Sequence, residues 1–286
     1  MAGYGEPEVR DAAQGDASEG VRHVMQGGKE TFSGRSRRLE RIAEYLADHS
    51  SARVQDFAEM FGVSPMTVHR DLDELERQGI LRKVRGGATA QPSNLFESDI
   101  RFRIRTAVSE KEAIARLAVE YIEPGQAVLI DDSTTALALA GRLSNVGPLT
   151  VITNSLPVIQ QLSSVKGIRL ITLGGEYNPR YAAFTGILCE QAINSLRANV
   201  LFMSTSAVSD CTAFHQEQDI VKVKRAMLTV ATQKILLIDH RKLGKVALHR
   251  LASLEEFDMV IVDPGVEPAS LRLLKEAKVK VEVAPS

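Results

Sequence analysis

The sequence predicts an α/β protein of two domains: a small N-terminal domain of three short helices and a basic hairpin, and a larger C-terminal domain with a mostly parallel sheet covered by helices. Two observations predict this organisation. Apolar residues recur at helical spacing through residues 35–91, whereas short apolar runs alternate with helix-length segments between residues 127 and 262. A length of 286 residues suits one small domain and one of roughly 150–200 residues.

The composition is that of an ordinary globular chain, with 44% hydrophobic and 25% charged residues. No apolar run approaches the roughly 20 residues that cross a bilayer, and the N-terminus lacks the apolar core of a signal peptide. We therefore expect a cytoplasmic protein with no membrane partner, and the two cysteines, Cys189 and Cys211, fit a reducing compartment. Because the formal net charge is −1, binding to nucleic acid must depend on a local cluster of positive charge.

Three apolar stripes define the helices of the N-terminal domain. Gly62 ends the second helix, Ser64 is the expected N-cap of the third, Pro65 occupies its first position and Gly79 closes it. The stripes lie at Leu39, Ile42, Ala43 and Leu46, then at Val54, Phe57, Ala58 and Phe61, and finally at Val68, Leu72 and Leu75. A basic hairpin follows over residues 80–88, with its turn at 83–85 or at 86–87. Three helices and a hairpin in about 55 residues predict a separate domain, residues 35–91.

The third helix carries polar and basic residues opposite its apolar stripe, as a helix that reads the major groove of DNA does. Arginine bonds guanine with two donors, and basic residues on the hairpin suit the phosphate backbone or the minor groove. Any one of these residues, taken alone, is explained more simply by a solvent-exposed face of an amphipathic helix. His69 by itself is better suited to contact a phosphate or solvent than to read a DNA base. The candidate DNA-binding residues are Ser64, Met66, Thr67, His69, Arg70, Arg82, Lys83 and Arg85.

These residues also carry a family resemblance. The run from Phe61 to Ser64, the segments 67–72 and 75–79, and the stretch from Arg85 to Ala88 resemble the winged helix-turn-helix of the DeoR family of bacterial sugar-metabolism regulators. Two positions depart from the family pattern: His69 replaces the usual arginine, and Arg85 stands where histidine often precedes the two glycines.

The remaining boundaries follow from composition and capping signals. Residues 1–34 carry almost no periodic apolar pattern, which predicts a disordered tail, and residues 92–108 are expected to form a linker with a docking segment. Ser109 and Glu112 predict a capping box at the start of the effector-binding domain, residues 109–286. Its apolar runs at 127–130, 149–152, 168–173, 200–203, 235–238 and 259–262 predict the buried strands of a parallel sheet.

Polar, small-residue loops follow several of these strands. Because the carboxyl ends of parallel strands meet at one edge, these loops predict a polar ligand site there. For any single loop, a plain N-cap is as good an interpretation as a ligand contact. The candidate effector-binding residues are Asp131, Ser133, Thr134, Thr135, Thr153, Asn154, Ser155, Gly174, Gly175, Lys224, Asp239 and Lys242, with the two lysines as counter-charges for a phosphate.

The chain from Asp131 to Asp263 resembles the DeoR-family effector domain, which is similar to ribose-5-phosphate isomerase-type folds. The resemblance implies a repressor that a phosphorylated sugar or polyol releases from its operator. Ser133, where glycine is usual, and residues 202–207, which replace a glycine-rich stretch, depart from the family pattern.

Two other interpretations of the C-terminal domain remain open at the sequence level. In the first, the domain is a sugar-phosphate isomerase fused to a DNA-binding module, and carboxylates such as Asp131 and Asp239 are its candidate catalytic bases. In the second, the domain serves only for oligomerisation. The sequence shows no dinucleotide-binding turn, phosphate loop, nucleophile elbow or metal-ligand spacing, so we expect no cofactor or metal. The fused DNA-binding module, which a metabolic enzyme does not need, decides the expectation that the chain is not an enzyme. The prediction is a DNA-binding transcriptional regulator, a homodimer or homotetramer on double-stranded operator DNA.

Overall fold

A computed structural model of the chain describes residues 34–49, 51–77, 80–90, 100–276, 278 and 280–286. The predicted tail 1–34 lies outside these residues except for Gly34, which begins the first helix. The predicted helix-closing Gly79 and the first part of the predicted linker also lie outside them.

The N-terminal domain has the three predicted helices and the predicted hairpin. Its elements are α1 (Gly34–His49), β1 (Ser51–Arg53), α2 (Val54–Phe61), α3 (Pro65–Arg77), β2 (Leu81–Val84) and β3 (Gly87–Ala90). The strands form an antiparallel sheet in the order β1-β3-β2, of which β1 was not predicted. The pairing of Val84 with Gly87 places the hairpin turn at Arg85 and Gly86.

The predicted stripes form the core of this domain. The cluster joins the faces of all three helices to the hairpin and includes the buried side chains of Ile42, Leu46, Phe57, Val68, Leu72 and Leu81. Gly62 ends α2 as predicted, since its φ of 61° lies in the left-handed region that glycine adopts at low cost.

A short helix and a longer one precede the central sheet: α4 (Ile100–Arg105) and α5 (Val108–Ala118). The region predicted as a linker, 92–108, therefore contains a helix. The predicted capping box is wrong, because α5 begins at Val108 and its N-cap is Ala107, in the left-handed region at φ 54°. The Ser109 hydroxyl instead donates to the Glu110 carboxylate at 2.9 Å.

The C-terminal domain is built on a seven-stranded parallel sheet, as the apolar runs predict. Its strand order is β15-β14-β12-β9-β4-β5-β6. The elements along the chain are β4 (Ala127–Ile130), α6 (Thr134–Ala140), β5 (Leu149–Thr153), α7 (Leu156–Leu162), β6 (Ile168–Thr172), β7 (Glu176–Asn178), β8 (Ala183–Thr185), α8 (Ile187–Asn194), β9 (Ala198–Met203), β10 (Ala207–Ser209), β11 (Thr212–His215), α9 (Gln218–Val230), β12 (Ala231–Ile238), β13 (His249–Ser253), β14 (Met259–Val262), α10 (Pro268–Glu276) and β15 (Lys280–Val283).

Helices cover both faces of the sheet, and each face has its own core. Alternate residues of β4 contribute to the two cores, Leu129 to one and Val128 to the other, because successive side chains of a strand point to opposite faces. Helices α8, α9 and α10 cover the first face, and α5, α6 and α7 cover the second. No helix in the described part of the chain is long and apolar enough to span a membrane.

Two smaller sheets border the large one and were not predicted. Strands β10, β11 and β13 form an antiparallel sheet, and β7 pairs with β8 as a hairpin. The hairpin lies beside the carboxyl edge of the large sheet, where the Phe184 amide donates to the Asn154 carbonyl at 2.9 Å. These additions form walls at the edge where the polar loops lie.

Candidate functional site

The start of α3 is capped as the sequence predicts. The Thr67 amide donates to the Ser64 hydroxyl oxygen at 3.2 Å, and the two side-chain hydroxyls lie 3.0 Å apart. Val68, Leu72 and Leu75 are buried, whereas Met66 is 63% exposed and Arg70 is exposed on the outer face. The outer side of α3 therefore presents the side chains that were predicted to contact DNA.

A buried ion cluster fixes α3 against α1. Asp71 is only 1% exposed and accepts from Arg38 Nε at 2.6 Å and from Arg35 Nε at 3.2 Å. A buried carboxylate is costly unless it is paired, so these two arginines stabilise the orientation in which Arg70 points outwards.

The hairpin is tied to the same helix. The Lys83 amide donates to Glu76 Oε1 at 2.7 Å, and the Lys83 ammonium forms an ion pair with Asp73. Gly87 allows β3 to approach β1, because a Cβ at this position would lie 2.2 Å from the Ala52 carbonyl oxygen. Arg82 and Arg85 are exposed on the hairpin, whereas the charge of Lys83 is already paired within the domain.

The carboxyl edge of the large sheet brings distant polar residues together. The chain leaves β4 towards β5 on one side and later returns to β9 on the other, which is the arrangement that opens a ligand crevice in α/β sheets. Asp131 follows β4 and lies at this crevice. Its carboxylate accepts from the Ser133 amide at 3.0 Å and from the Ser204 amide, after β9, at 2.8 Å.

Lys224 of α9 reaches the same point and forms a buried ion cluster. Its ammonium lies 2.9 Å from Asp132 Oδ1 and also contacts Asp131, and all three side chains are at most 2% exposed. Burial would lower the pKa of Lys224, but the two carboxylates outweigh it and raise that pKa above its usual range. Burial would likewise raise the pKa of Asp132, but the Lys224 charge outweighs it and lowers that pKa.

A second set of charges lies beside this cluster. Lys242 donates to the Ser204 hydroxyl at 3.0 Å and lies 3.5 Å from Asp239 Oδ2. Burial lowers the pKa of Lys242 despite the Asp239 carboxylate, and the charge of Arg103 acts in the same direction as burial. Burial and then the charge of Lys242 lower the pKa of Lys111 to about 7. These cations repel one another, so the edge is suited to an anionic group.

Several buried polar atoms at this edge make no hydrogen bond within the described part of the chain. They are Nε and Nη2 of Arg103, Oδ2 of Asp132, Oγ1 of Thr135 and Oδ1 of Asn154. Unpartnered buried polar groups are rare in folded proteins, because each one costs about 1–3 kcal/mol. A group of them beside mutually repelling cations is typical of a site for a polar, anionic ligand.

His215 adds a neutral donor to this region. Burial and then the charge of Lys224 lower its pKa to about 3, so the ring is neutral at physiological pH. Its Nδ1 accepts from the Glu217 amide at 3.1 Å, which leaves the proton on Nε2.

Other predicted effector residues have structural partners in the loops. The Ser133 hydroxyl caps α6 by accepting from the Ala136 amide at 3.1 Å, and Thr153 Oγ1 accepts from the Ser155 amide at 3.0 Å. Asn154 donates to the Phe184 carbonyl at 2.9 Å. Gly175 is needed for close packing, since a Cβ there would lie 2.3 Å from the Thr185 carbonyl oxygen. The roles of these residues in ligand binding therefore stay predictions, as do those of Thr134 and Gly174.

Sequence reasoning missed Arg103, Lys111 and Ser204 at this site. Lys111 did carry a signal, since it precedes Ile114 and Ala118 by three and seven residues and so belongs to the buried face of α5. A lysine in an apolar stripe is unusual and marks a site or a structural contact. Arg103 carried no comparable signal.

Comparison with known proteins identifies the chain. The family model described as the DeoR C terminal sensor domain matches residues 106–264, which is more than half of the sequence. The chain belongs to the DeoR family. The model of the DeoR-like helix-turn-helix domain matches residues 38–94, in agreement with the predicted winged helix-turn-helix.

The curated relatives of the chain include named transcriptional regulators and repressors. The chain is 34% identical over 251 residues to the uncharacterized HTH-type transcriptional regulator YulB of Bacillus subtilis, covering 87% of this chain and 96% of that protein. It is 30% identical over 257 residues to the putative aga operon transcriptional repressor of Escherichia coli O157:H7, covering 89% and 96%. The lactose phosphotransferase system repressor of Staphylococcus epidermidis is 33% identical over 229 residues, with 79% and 91% covered. All three relatives are thus named as transcriptional regulators or repressors.

Solved structures resemble only part of the chain. Ribose 5-phosphate isomerase A of Methanocaldococcus jannaschii aligns with 47% of this chain and 54% of its own length, at 17% identity and a TM-score of 0.34. The chain thus spans about half the length of that enzyme. The isomerase of Plasmodium falciparum gives a TM-score of 0.36 at 14% identity, covering 48% and 53%.

Proposed function

We propose that this DeoR-family protein is a repressor of carbohydrate-metabolism genes. It binds double-stranded operator DNA through its winged helix-turn-helix and leaves the operator when a phosphorylated sugar or polyol binds the C-terminal domain. The observation that carries the proposal is the set of repelling cations and unpartnered polar atoms at the carboxyl edge of the sheet. Two relatives whose names mention the aga operon and a lactose phosphotransferase system support a role in carbohydrate metabolism.

The DNA contacts divide into base reading and backbone positioning. Arg70 and Met66, on the exposed outer face of α3, lie where a major groove would meet the helix, flanked by Thr67 and His69. Ser64 at the helix start and the hairpin residues Arg82 and Arg85 then contact phosphates, and Lys83 does so by exchanging its ion pair with Asp73 for a phosphate. A homodimer or homotetramer in the cytoplasm would place two such helices on successive half-sites.

The effector contacts follow the charges of the edge. A phosphate ester carries about −1.5 to −2 charges at neutral pH, so its phosphoryl group is attracted to Lys111 and Lys242 and repelled by Asp132. The sugar hydroxyls then point towards Asp132 Oδ2, Thr135 Oγ1 and Asn154 Oδ1, which all lack a partner within the described residues. Such an orientation satisfies the buried polar atoms and the excess positive charge together.

A ligand panel tests the effector half of the proposal. The purified full-length protein is titrated calorimetrically with galactose 6-phosphate, tagatose 6-phosphate, fructose 6-phosphate, ribose 5-phosphate and glycerol 3-phosphate. Inorganic phosphate and the unphosphorylated sugars are the controls. We expect one ester to bind most tightly and, at 100 times its Kd, to stabilise the protein by about 2.7 kcal/mol. Failure of every ester to bind contradicts the sensor role, and conversion of an ester into an isomer contradicts the regulator assignment.

Genomic selection tests the DNA half. Fragments of the source genome that bind the purified protein are sequenced, and the bound ester is then added to the strongest fragment in a mobility-shift assay. We expect a site beside carbohydrate-metabolism genes and its release by the ester. A site that the ester does not release contradicts repression by this mechanism.

A further inference from the structure

Helix α4 connects the DNA-binding domain to the effector site. It is the first described element after β3, which ends the winged helix-turn-helix at Ala90. It is anchored to the C-terminal domain by the buried side chain of Ile100, whose amide donates to the Arg180 carbonyl at 2.8 Å. Helix α4 thus contacts the C-terminal domain at the point where the chain arrives from the DNA-binding domain.

The guanidinium of Arg103, in the middle of α4, faces the effector site. It lies over the Tyr181 ring, 5.0 Å from its centroid, and that ring lies 5.4 Å from the ring of His215. The positive charge of Arg103 contributes to lowering the pKa values of three residues from other parts of the domain, namely Asp132, His215 and Lys242. Tyr181 positions the Arg103 guanidinium by a cation–π contact. The Nε and Nη2 atoms of this guanidinium make no hydrogen bond within the described residues.

Lys111 fixes the other end of the same helix. Its ammonium donates to the Thr106 carbonyl at 2.7 Å and also to the Arg103 carbonyl. The side chain is buried, so it holds the last turn of α4 against α5. These contacts link the backbone of α4 to a buried cation of the effector site.

We propose that Arg103 binds the phosphoryl group of the effector, and that α4 is the element through which ligand binding reaches the DNA-binding domain. This inference rests on the proposed sensor function. The planar fork of arginine offers two parallel donors to a phosphate, and Nε and Nη2 form such a pair. A bound phosphoryl group would join α4 to Lys242 at the sheet edge, so the bound state holds α4 more firmly than the free state.

Calorimetric titration of matched variants tests the binding role. Arg103→Ala, Arg103→Lys and the control Arg116→Ala, which removes an exposed arginine from α5, are titrated with the panel ester that binds the wild-type protein most tightly. We expect about 10- to 100-fold weaker binding for Arg103→Ala, from the loss of charge-assisted hydrogen bonds, and a smaller loss for Arg103→Lys. Binding by Arg116→Ala should stay within about twofold of wild type.

The comparison with the unphosphorylated sugar adds a readout that misfolding cannot imitate. Arg103→Ala should bind that sugar, at whatever affinity the wild type shows, without further loss. Wild-type affinity for the ester in both Arg103 variants overturns the inference but leaves the sensor function intact. A wild-type protein that binds no ester overturns the sensor function, and this inference with it.

Hydrogen exchange tests the route to the DNA-binding domain. In the full-length protein, amides of residues 100–107 should exchange several-fold more slowly with the ester bound, and Arg103→Lys should show less of this protection. Arg116→Ala should retain it. Unchanged exchange of this segment in a wild-type protein saturated with ester overturns the role assigned to α4.

Discussion

Replacing Lys224 by methionine tests the energetics of the buried ion cluster. Lys224, Asp131 and Asp132 are at most 2% exposed, so removing the ammonium leaves two buried carboxylates without their cation. Asp131 keeps two backbone donors, but Asp132 loses its ion pair. Breaking a buried ion pair by removing one partner costs about 3–5 kcal/mol, and we expect the free energy of unfolding at neutral pH to fall by that amount.

The pH dependence separates this cause from a simple packing defect. In the wild type, burial would raise the pKa of Asp132, but the Lys224 charge outweighs it and lowers that pKa below its unfolded value. Asp132 therefore contributes stability above the unfolded pKa, and this contribution is lost as the pH falls through the folded value. Without Lys224, burial raises the folded pKa, so the deficit of the variant should be large at about pH 8 and smaller at about pH 5.

Urea unfolding followed by far-UV circular dichroism at both pH values measures the difference. The control is Lys222→Met, on the same helix, where the side chain is half-exposed and pairs with Asp219 at 2.9 Å. Its effect should be small and nearly independent of pH between these values. Equal stability of the two variants, or a deficit in Lys224→Met that does not shrink on acidification, would refute the reasoning.

Four further predictions follow from the same geometry. Arg70→Ala should abolish specific operator binding in a mobility-shift assay while effector affinity is unchanged, and retained specificity would remove Arg70 from base reading. Lys242→Ala should weaken ester binding by about tenfold in calorimetry and leave an operator complex that the ester releases poorly, whereas normal release would contradict its role. The ratio of the wild-type affinity for the ester to that of Lys111→Met should fall between about pH 6 and about pH 8, because Lys111, with a pKa of about 7, loses its charge as the pH rises, whereas the ionisation of the ester affects both proteins alike. A ratio that does not change with pH would contradict this. Gly175→Ala should lower stability by about 1–3 kcal/mol in urea unfolding, because its φ of 150° and the Thr185 carbonyl oxygen 2.3 Å from the new Cβ both oppose a side chain; an unchanged midpoint would contradict it.

The N-terminal domain was predictable because its signals are local. The cap at Ser64, the glycine at position 62 and the stripe of α3 all lie within one or two helical turns of the features that they fix. Strand β1 was missed because its three residues are too few to show an alternation of apolar and polar side chains. It forms only by pairing with β3, more than thirty residues away in the sequence.

In the C-terminal domain, the buried strands of the large sheet and one of its edge strands, β6, could be predicted, whereas the other edge strand, β15, could not. Strands β4 and β14 coincide with their predicted runs because both faces are covered, which requires continuous apolar residues. Strand β15 has one neighbour and half-exposed residues, so its sequence resembles a surface loop. The capping box failed because Ser and Glu at the right spacing also occur inside a first turn, and the left-handed Ala107 starts the helix earlier.

In the effector site, the residues that follow strands could be predicted from the sequence, whereas the contacts of residues on helices could not. Asp131 and Asn154 follow apolar strands, so the parallel sheet alone places them at one edge. Lys224 was predicted as a counter-charge for a phosphate, but its ion pair with Asp131, 93 residues away in the sequence, could not be predicted. Arg103 precedes the whole sheet and sits on a short helix among other arginines, where a solvated surface is the ordinary expectation. Only the fold shows that two of its donors are buried and that its charge acts on Asp132. We therefore propose Arg103 both as a ligand contact and as part of the connection between the domains.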